Sequence, residues 1–165
     1  MTGDLPVLGH VAVAFVLTYV LGFERQLRGS AAGDRTFALI GTGSALIGVL
    51  AQAAAPNALA GAITGVGFIG AGLVFRQTLG THRQVVRGLT SAAGIFAASA
   101  IGAAAGQGRL SLATLGTALV LLALELRYVP GLRVLDAARW SDRFRNDDPE
   151  PEPEPDAPQN PQAPG

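Results

Sequence analysis

The chain has no cysteine and no lysine among its 165 residues, a single tryptophan, a single methionine and two histidines, and only 15% of its residues are charged. Without cysteine there is no disulfide framework, no thiolate zinc site, no iron–sulfur cluster and no cysteine nucleophile. His10 and His82 have no metal-ligand spacing between them, so no metal site is expected. No glycine-rich phosphate loop of the Walker type occurs, which excludes an ATP-driven pump within the chain itself. The scarcity of charge excludes an ordinary soluble globule, since 49% of residues are hydrophobic, glycine numbers 22 and mean hydropathy is +0.37. Such a profile suits hydrocarbon better than water.

The balanced net charge conceals two opposite halves. Residues 1–135 carry nine arginines against four acids, and residues 136–165 carry three arginines against eight acids. Uncharged runs extend over 5–23, 36–75, 88–108 and 110–124. A helix needs about 20 residues to cross the hydrocarbon, so the forty-residue run is too long for one crossing, and Pro56-Asn57 divides it. The pattern predicts an all-α polytopic membrane protein with five crossings, near 5–23, 36–55, 58–75, 88–107 and 110–128, within a membrane domain over 1–130. No basic residue precedes the first run, as a cleaved secretory signal would require, so that run is read as retained.

Arginines set the expected orientation, because basic loops resist translocation. Eleven of the twelve fall in loop 24–35, loop 76–87 or the segment after the fifth crossing, and Arg109 alone lies on the other side. The N-terminus is therefore expected outside and the C-terminus in the cytoplasm of a multi-pass protein of the inner membrane. Residues 131–145 read as a juxtamembrane interfacial segment, with Trp140 and Phe144 as i,i+4 neighbours. Residues 146–165 repeat proline and acid with nothing to bury, and read as a disordered, extended tail.

Helices in lipid associate mainly through close backbone approach, so pairs of small residues four apart mark packing faces. Gly61 with Gly65, Gly102 with Gly106, and Ser44 with Gly48 are such pairs, and the bilayer, other membrane proteins or further copies of the chain are the expected partners; no nucleic-acid partner is expected. Gly65, Gly67 and Gly70 also spell the dinucleotide pattern, which is rejected because membrane-grade sequence flanks it and no acid lies some 20 residues on. With Gly72 they put four glycines in eight residues, a stretch that could unwind locally and expose carbonyl groups.

A polar group gathers at the expected cytoplasmic ends: Glu24, Arg25, Asp34, Arg35, Thr36, Arg87 and Thr90. A carboxylate at the position of Glu24 begins to lose its water and calls for compensation by Arg25, Arg35 or Arg87, which would pin the helix ends together. The deepest polar side chains are Thr64, Gln52, Asn57 and Gln107, all neutral, and neutral oxygens alone hold Mg²⁺ poorly. Serines 30, 44, 91, 99 and 111 lack a histidine and acid that the topology could bring beside them, so no enzyme and no cofactor is expected.

The segments GFERQ (22–26), AGDRT (32–36), ITGVGFIGAGLVF (63–75), VRGLTSAAGIF (86–96) and AIGAAAGQG (100–108) resemble, in order, the N-terminal membrane domain of MgtC/SapB proteins. The resemblance covers about residues 8–128. It implies a helical inner-membrane unit with a role in magnesium homeostasis and growth at low magnesium, for some members within host phagocytes, exerted as a regulator of other membrane machinery. An ion-transporting subunit in an oligomer is the alternative. The matching positions are Glu24, Arg25, Arg35, Thr36, Gly65, Gly67, Gly70, Gly72, Arg87, Gly88 and Thr90. Many members carry a folded soluble domain after the fifth helix, where this sequence has a short segment and the acidic tail.

Overall fold

Long apolar stretches without interior charge favour helices that satisfy every backbone group internally, and the computed structural model contains five among its described residues. They are α1 (Asp4–Leu27), α2 (Asp34–Ala53), α3 (Ala58–Gly72), α4 (Leu89–Gly106) and α5 (Leu110–Glu125). The structure describes residues 4–53, 55–79, 83–126 and 128. The interfacial segment 131–145 and the acidic tail 146–165 lie outside the described residues. The chain divides into two units, Met1–Leu124 and Glu125–Gly165, and the first holds the helical bundle up to the last residue of α5.

Helices α1, α2 and α4 have the length and apolarity to cross a membrane; α3 and α5 are also apolar but shorter, at 15 and 16 residues. The third helix ends at Gly72 rather than near residue 75, and the segment read as loop 76–87 contains an antiparallel hairpin. Its strands are β1 (Phe75–Leu79) and β2 (Arg83–Arg87), with Phe75 opposite Arg87. Charge ends the apolar run there, and the two strands then satisfy each other's backbone groups.

An apolar core that includes Leu21, Phe37 and Ile95 is surrounded by a surface unlike that of a soluble protein. Outward positions are large and apolar, with Phe68 84% and Leu39 74% exposed, while Thr18, Ser44, Ser99 and Thr117 are buried. Small residues let α1, α2 and α4 close on one another. Gly41 of α2 receives the Thr18 side chain of α1 on one side and meets Gly102 of α4 on the other; a Cβ at Gly102 would overlap the Gly41 carbonyl oxygen and stand 2.8 Å from its Cα. One turn on, Gly106 meets the Ala45 backbone and Gly48 the Ala103 carbonyl. Phe37, fully buried, lays its ring over Gly94. The Ser44 and Ser99 hydroxyls join α2 to α4 at 2.7 Å in the core. Replacing each serine by alanine, singly and together, is expected to give a coupling energy of about 0.6 kcal/mol in a double-mutant cycle of unfolding in detergent.

Two of the three predicted small-residue pairs thus lie in one α2–α4 interface. The third does not: nothing comes within 4 Å of a side chain built at Gly61, Gly65, Gly67 or Gly72, and only Gly70 is covered, by Ala92 of α4. The stretch 65–72 is continuous α-helix without unwinding, so its backbone groups keep their i→i−4 partners. α3 rests on α4 and α2, and α5 meets α4 where Ile101 packs over Gly116.

Candidate functional site

The end of the bundle formed by the α1–α2 turn and the start of α4 gathers most of the polar residues singled out from the sequence. α1 closes in a Schellman motif: Gly29 has φ +68°, its N–H donates to the Gln26 carbonyl at 3.1 Å, and the Ser30 N–H donates to that of Arg25 at 3.0 Å. This turn holds Arg28 and Ser30 beside α4. On the other side Gly88, at φ +91°, opens α4 with no side-chain cap, and a Cβ there would collide with the Leu73 carbonyl. Any other residue would be strained twice over at that position. The Ser30 and Ser91 hydroxyls, 2.6 Å apart, tie the α1 turn to the first turn of α4.

Between them lies a cleft of about 410 Å³ lined by Arg25, Arg28, Ser30, Arg87, Gly88, Thr90 and Ser91, among others. Glu24 stands on the buried side of α1, 9% exposed. Its carboxylate lies 3.6 Å from Arg25 Nη1 and 3.5 Å from Arg28 Nε, and neither carboxylate oxygen has a hydrogen-bond partner among the described residues. The compensation expected of Arg25 is present. Among the described ion pairs Arg35 and Arg87 do not supply it; Arg28 does, one turn along from Glu24, so the pairs that Glu24 makes there run within α1 and its closing turn. Helical spacing places i and i+4 on one face, and that signal was available for Arg28.

Arg35 and Thr36 belong to a different depression, of about 420 Å³, with Gln26, Gly33 and Asp34. Asp34 begins α2 and its Oδ1 accepts the Arg35 N–H at 2.7 Å, an acid at the positive end of the helix dipole. Thr64 is apart from both; its hydroxyl donates to the Ala60 carbonyl at 3.0 Å on the outer face of α3. The structure therefore brings together Glu24, Arg25, Arg87, Gly88 and Thr90, and leaves Arg35 with Thr36, and Thr64 with the α3 glycines, at separate places.

A third hollow, about 240 Å³ and mostly apolar, runs between α2, α3, α4 and α5, with Ile63, Phe96, Ala100 and Leu112 on its walls and Ser44 and Ser99 within it. At its end of the bundle Gln52 donates to the Gln107 carbonyl at 2.9 Å, and His10 of α1 lies beside Gly108. Among the described residues no three histidine, aspartate or glutamate side chains converge.

The profile of the MgtC family matches residues 11–129. The putative magnesium transporter YhiD of Escherichia coli K12 is 35% identical over 140 residues, covering 77% of this chain and 63% of that protein. Protein SrpB of Synechococcus elongatus is 39% identical over 145 residues, 79% of this chain and 77% of its own length. Protein MgtC of Brucella abortus is 34% identical over 138 residues, 78% of this chain and 56% of its own. The chain thus spans somewhat under two thirds of YhiD and of the Brucella protein. No solved structure matches.

Proposed function

As a member of the MgtC family, this membrane protein is, we propose, a non-enzymatic factor of the inner membrane that serves magnesium homeostasis and adaptation to low magnesium by binding other membrane machinery. In this reading all five helices cross, the N-terminus lies outside and the arginine-lined end faces the cytoplasm. The magnesium link draws on the family and on the name of its Escherichia coli relative. The single observation that supports action through a partner helix is the face of α3. Gly61, Gly65 and Gly72 lie along one side of it at helical spacing, all open, around Phe68, which projects with 84% of its surface exposed. A groove of glycines beside one projecting ring suits a second helix at close range.

The experiment is growth of a strain relying on this chain in limiting magnesium, paired with crosslinking in native membranes. Gly65→Leu is expected to leave protein level and melting behaviour unchanged, because open space surrounds the position, while abolishing both the growth advantage and the crosslinked partner. Wild-type growth and capture by Gly65→Leu would remove the basis for this role. The name of the YhiD relative favours a second reading, a subunit of an oligomeric ion transporter. Purified protein in liposomes separates the two: Mg²⁺ or proton flux lost in Gly67→Leu belongs to transport, and absence of flux together with a captured partner belongs to regulation.

A further inference from the structure

We propose that the cleft between the end of α1 and the start of α4 binds a phosphate group, held by Arg25, Arg87 and the N–H groups that open α4. Three guanidinium groups line the cleft and a single carboxylate, Glu24, faces two of them from the buried side. The excess of positive charge is therefore built in. Arg25 lines the cleft and is 13% exposed, with its Nη1 set 3.6 Å from the Glu24 carboxylate. Arg87 is exposed and enters none of the ion pairs found among the described residues. Guanidinium groups present paired donors that match phosphate oxygens.

The start of α4 adds donors of a second kind. The first helical bond of α4 runs from the Ala92 N–H to the Gly88 carbonyl, so the N–H groups of Leu89, Thr90 and Ser91 have no acceptor within the helix. Gly88 brings no side chain to cap them. Backbone donors at a helix start, on the positive end of its dipole, favour an anion. The Ser30–Ser91 hydroxyl contact fixes the two walls relative to each other, so the donors are set before a ligand arrives. At about 410 Å³ the cleft has room for a phosphate with its ester substituent. The phosphate has two possible sources, the headgroup of an anionic phospholipid or a soluble phosphate ester. The site is separate from the α3 face and stands or falls independently of it.

The test uses full-length protein purified in detergent. Native mass spectrometry measures retention of phosphatidylglycerol against phosphatidylcholine, and thermal unfolding is followed as inorganic phosphate is added. Wild type is expected to bind one of these probes with an affinity that falls as salt is raised. Arg87→Gln is expected to weaken that binding about tenfold, Arg87→Lys to weaken it less, and Arg109→Gln, at the opposite end of the bundle, to leave it unchanged. Preference for phosphatidylglycerol without a response to inorganic phosphate identifies the lipid as the source. A rise in melting temperature with inorganic phosphate and no preference between lipids identifies a soluble ester. Because Arg87 is exposed outside the helical core, folding of Arg87→Gln is checked by its unchanged melting temperature in the absence of phosphate. Equal binding by Arg87→Gln, Arg109→Gln and wild type overturns the proposal, as does wild type that binds neither probe.

Discussion

Gly102→Val is expected to abolish the folded bundle, with a loss upwards of about 3 kcal/mol, because the new side chain has nowhere to go. Its first carbon would overlap the Gly41 carbonyl oxygen and press on Gly41 Cα at 2.8 Å. Those atoms are backbone, so no rotamer change relieves the clash; α2 and α4 must separate. Separation breaks the Ser44–Ser99 contact and lifts the Ala45 and Ala103 carbonyls off Gly106 and Gly48. In lipid no gain from apolar burial offsets that loss. Fluorescence-detected size exclusion and thermal melting in detergent measure it, with Gly65→Val as the matched control. The control adds the same volume to a glycine on the open side of α3 and should melt with wild type. Equal melting temperatures for Gly102→Val and wild type would mean that α2 and α4 do not meet as described.

Glu24→Ala is expected to destabilise the protein by about 3 kcal/mol, since it leaves Arg25 largely buried with its counter-charge gone. The carboxylate is the one acid near Arg25 and Arg28 in the described ion pairs, and its side chain is 11% exposed, so water screens it little. Replacing both Glu24 and Arg25 by apolar residues of similar size should recover much of the loss, because the cost lies in the unpaired charge and not in the absence of the pair. Denaturant unfolding of the single and double variants in one detergent gives the comparison. A double variant as unstable as Glu24→Ala would assign the effect to packing.

Much of the fold can be read along the chain because lipid imposes a simple rule: uncharged runs become helices, and their ends follow the charges. Asp34 and Glu24, for example, sit within a helical turn of the expected boundaries of α2 and α1. The hairpin is illegible for the same reason. Residues 76–87 are marked by their charge, which says that they leave the hydrocarbon and nothing about what they do once outside it.

The pairing of small residues is legible in spacing but not in destination. Gly61 with Gly65 and Gly102 with Gly106 have the same four-residue interval, yet the second pair meets α2 and the first meets nothing. Spacing fixes which residues share a face; only the arrangement of the helices decides what that face looks at. At the arginine-lined end, Glu24 and Arg25 are visible as neighbours and Arg28 is available from the i,i+4 rule. The Ser30–Ser91 contact joins residues 61 apart, and no local pattern marks it. Thr64 and Arg35, grouped with the others by chemistry, are separated from them by the packing of α3 and by the turn that puts Arg35 on α2.

The short third and fifth helices have a mechanical corollary for the surrounding bilayer. Fifteen residues reach roughly 22 Å at the α-helical rise, well below the ~30 Å of a typical hydrocarbon core. Both helices border the same apolar hollow, so the deficit falls on one flank instead of being spread around the bundle. With all five helices crossing, as proposed above, hydrophobic mismatch of this lopsided kind would pull the two leaflets toward each other beside α3 and α5 alone. Such a dimple would make short-chain lipid the better neighbour there and would give two such molecules a membrane-borne reason to drift together.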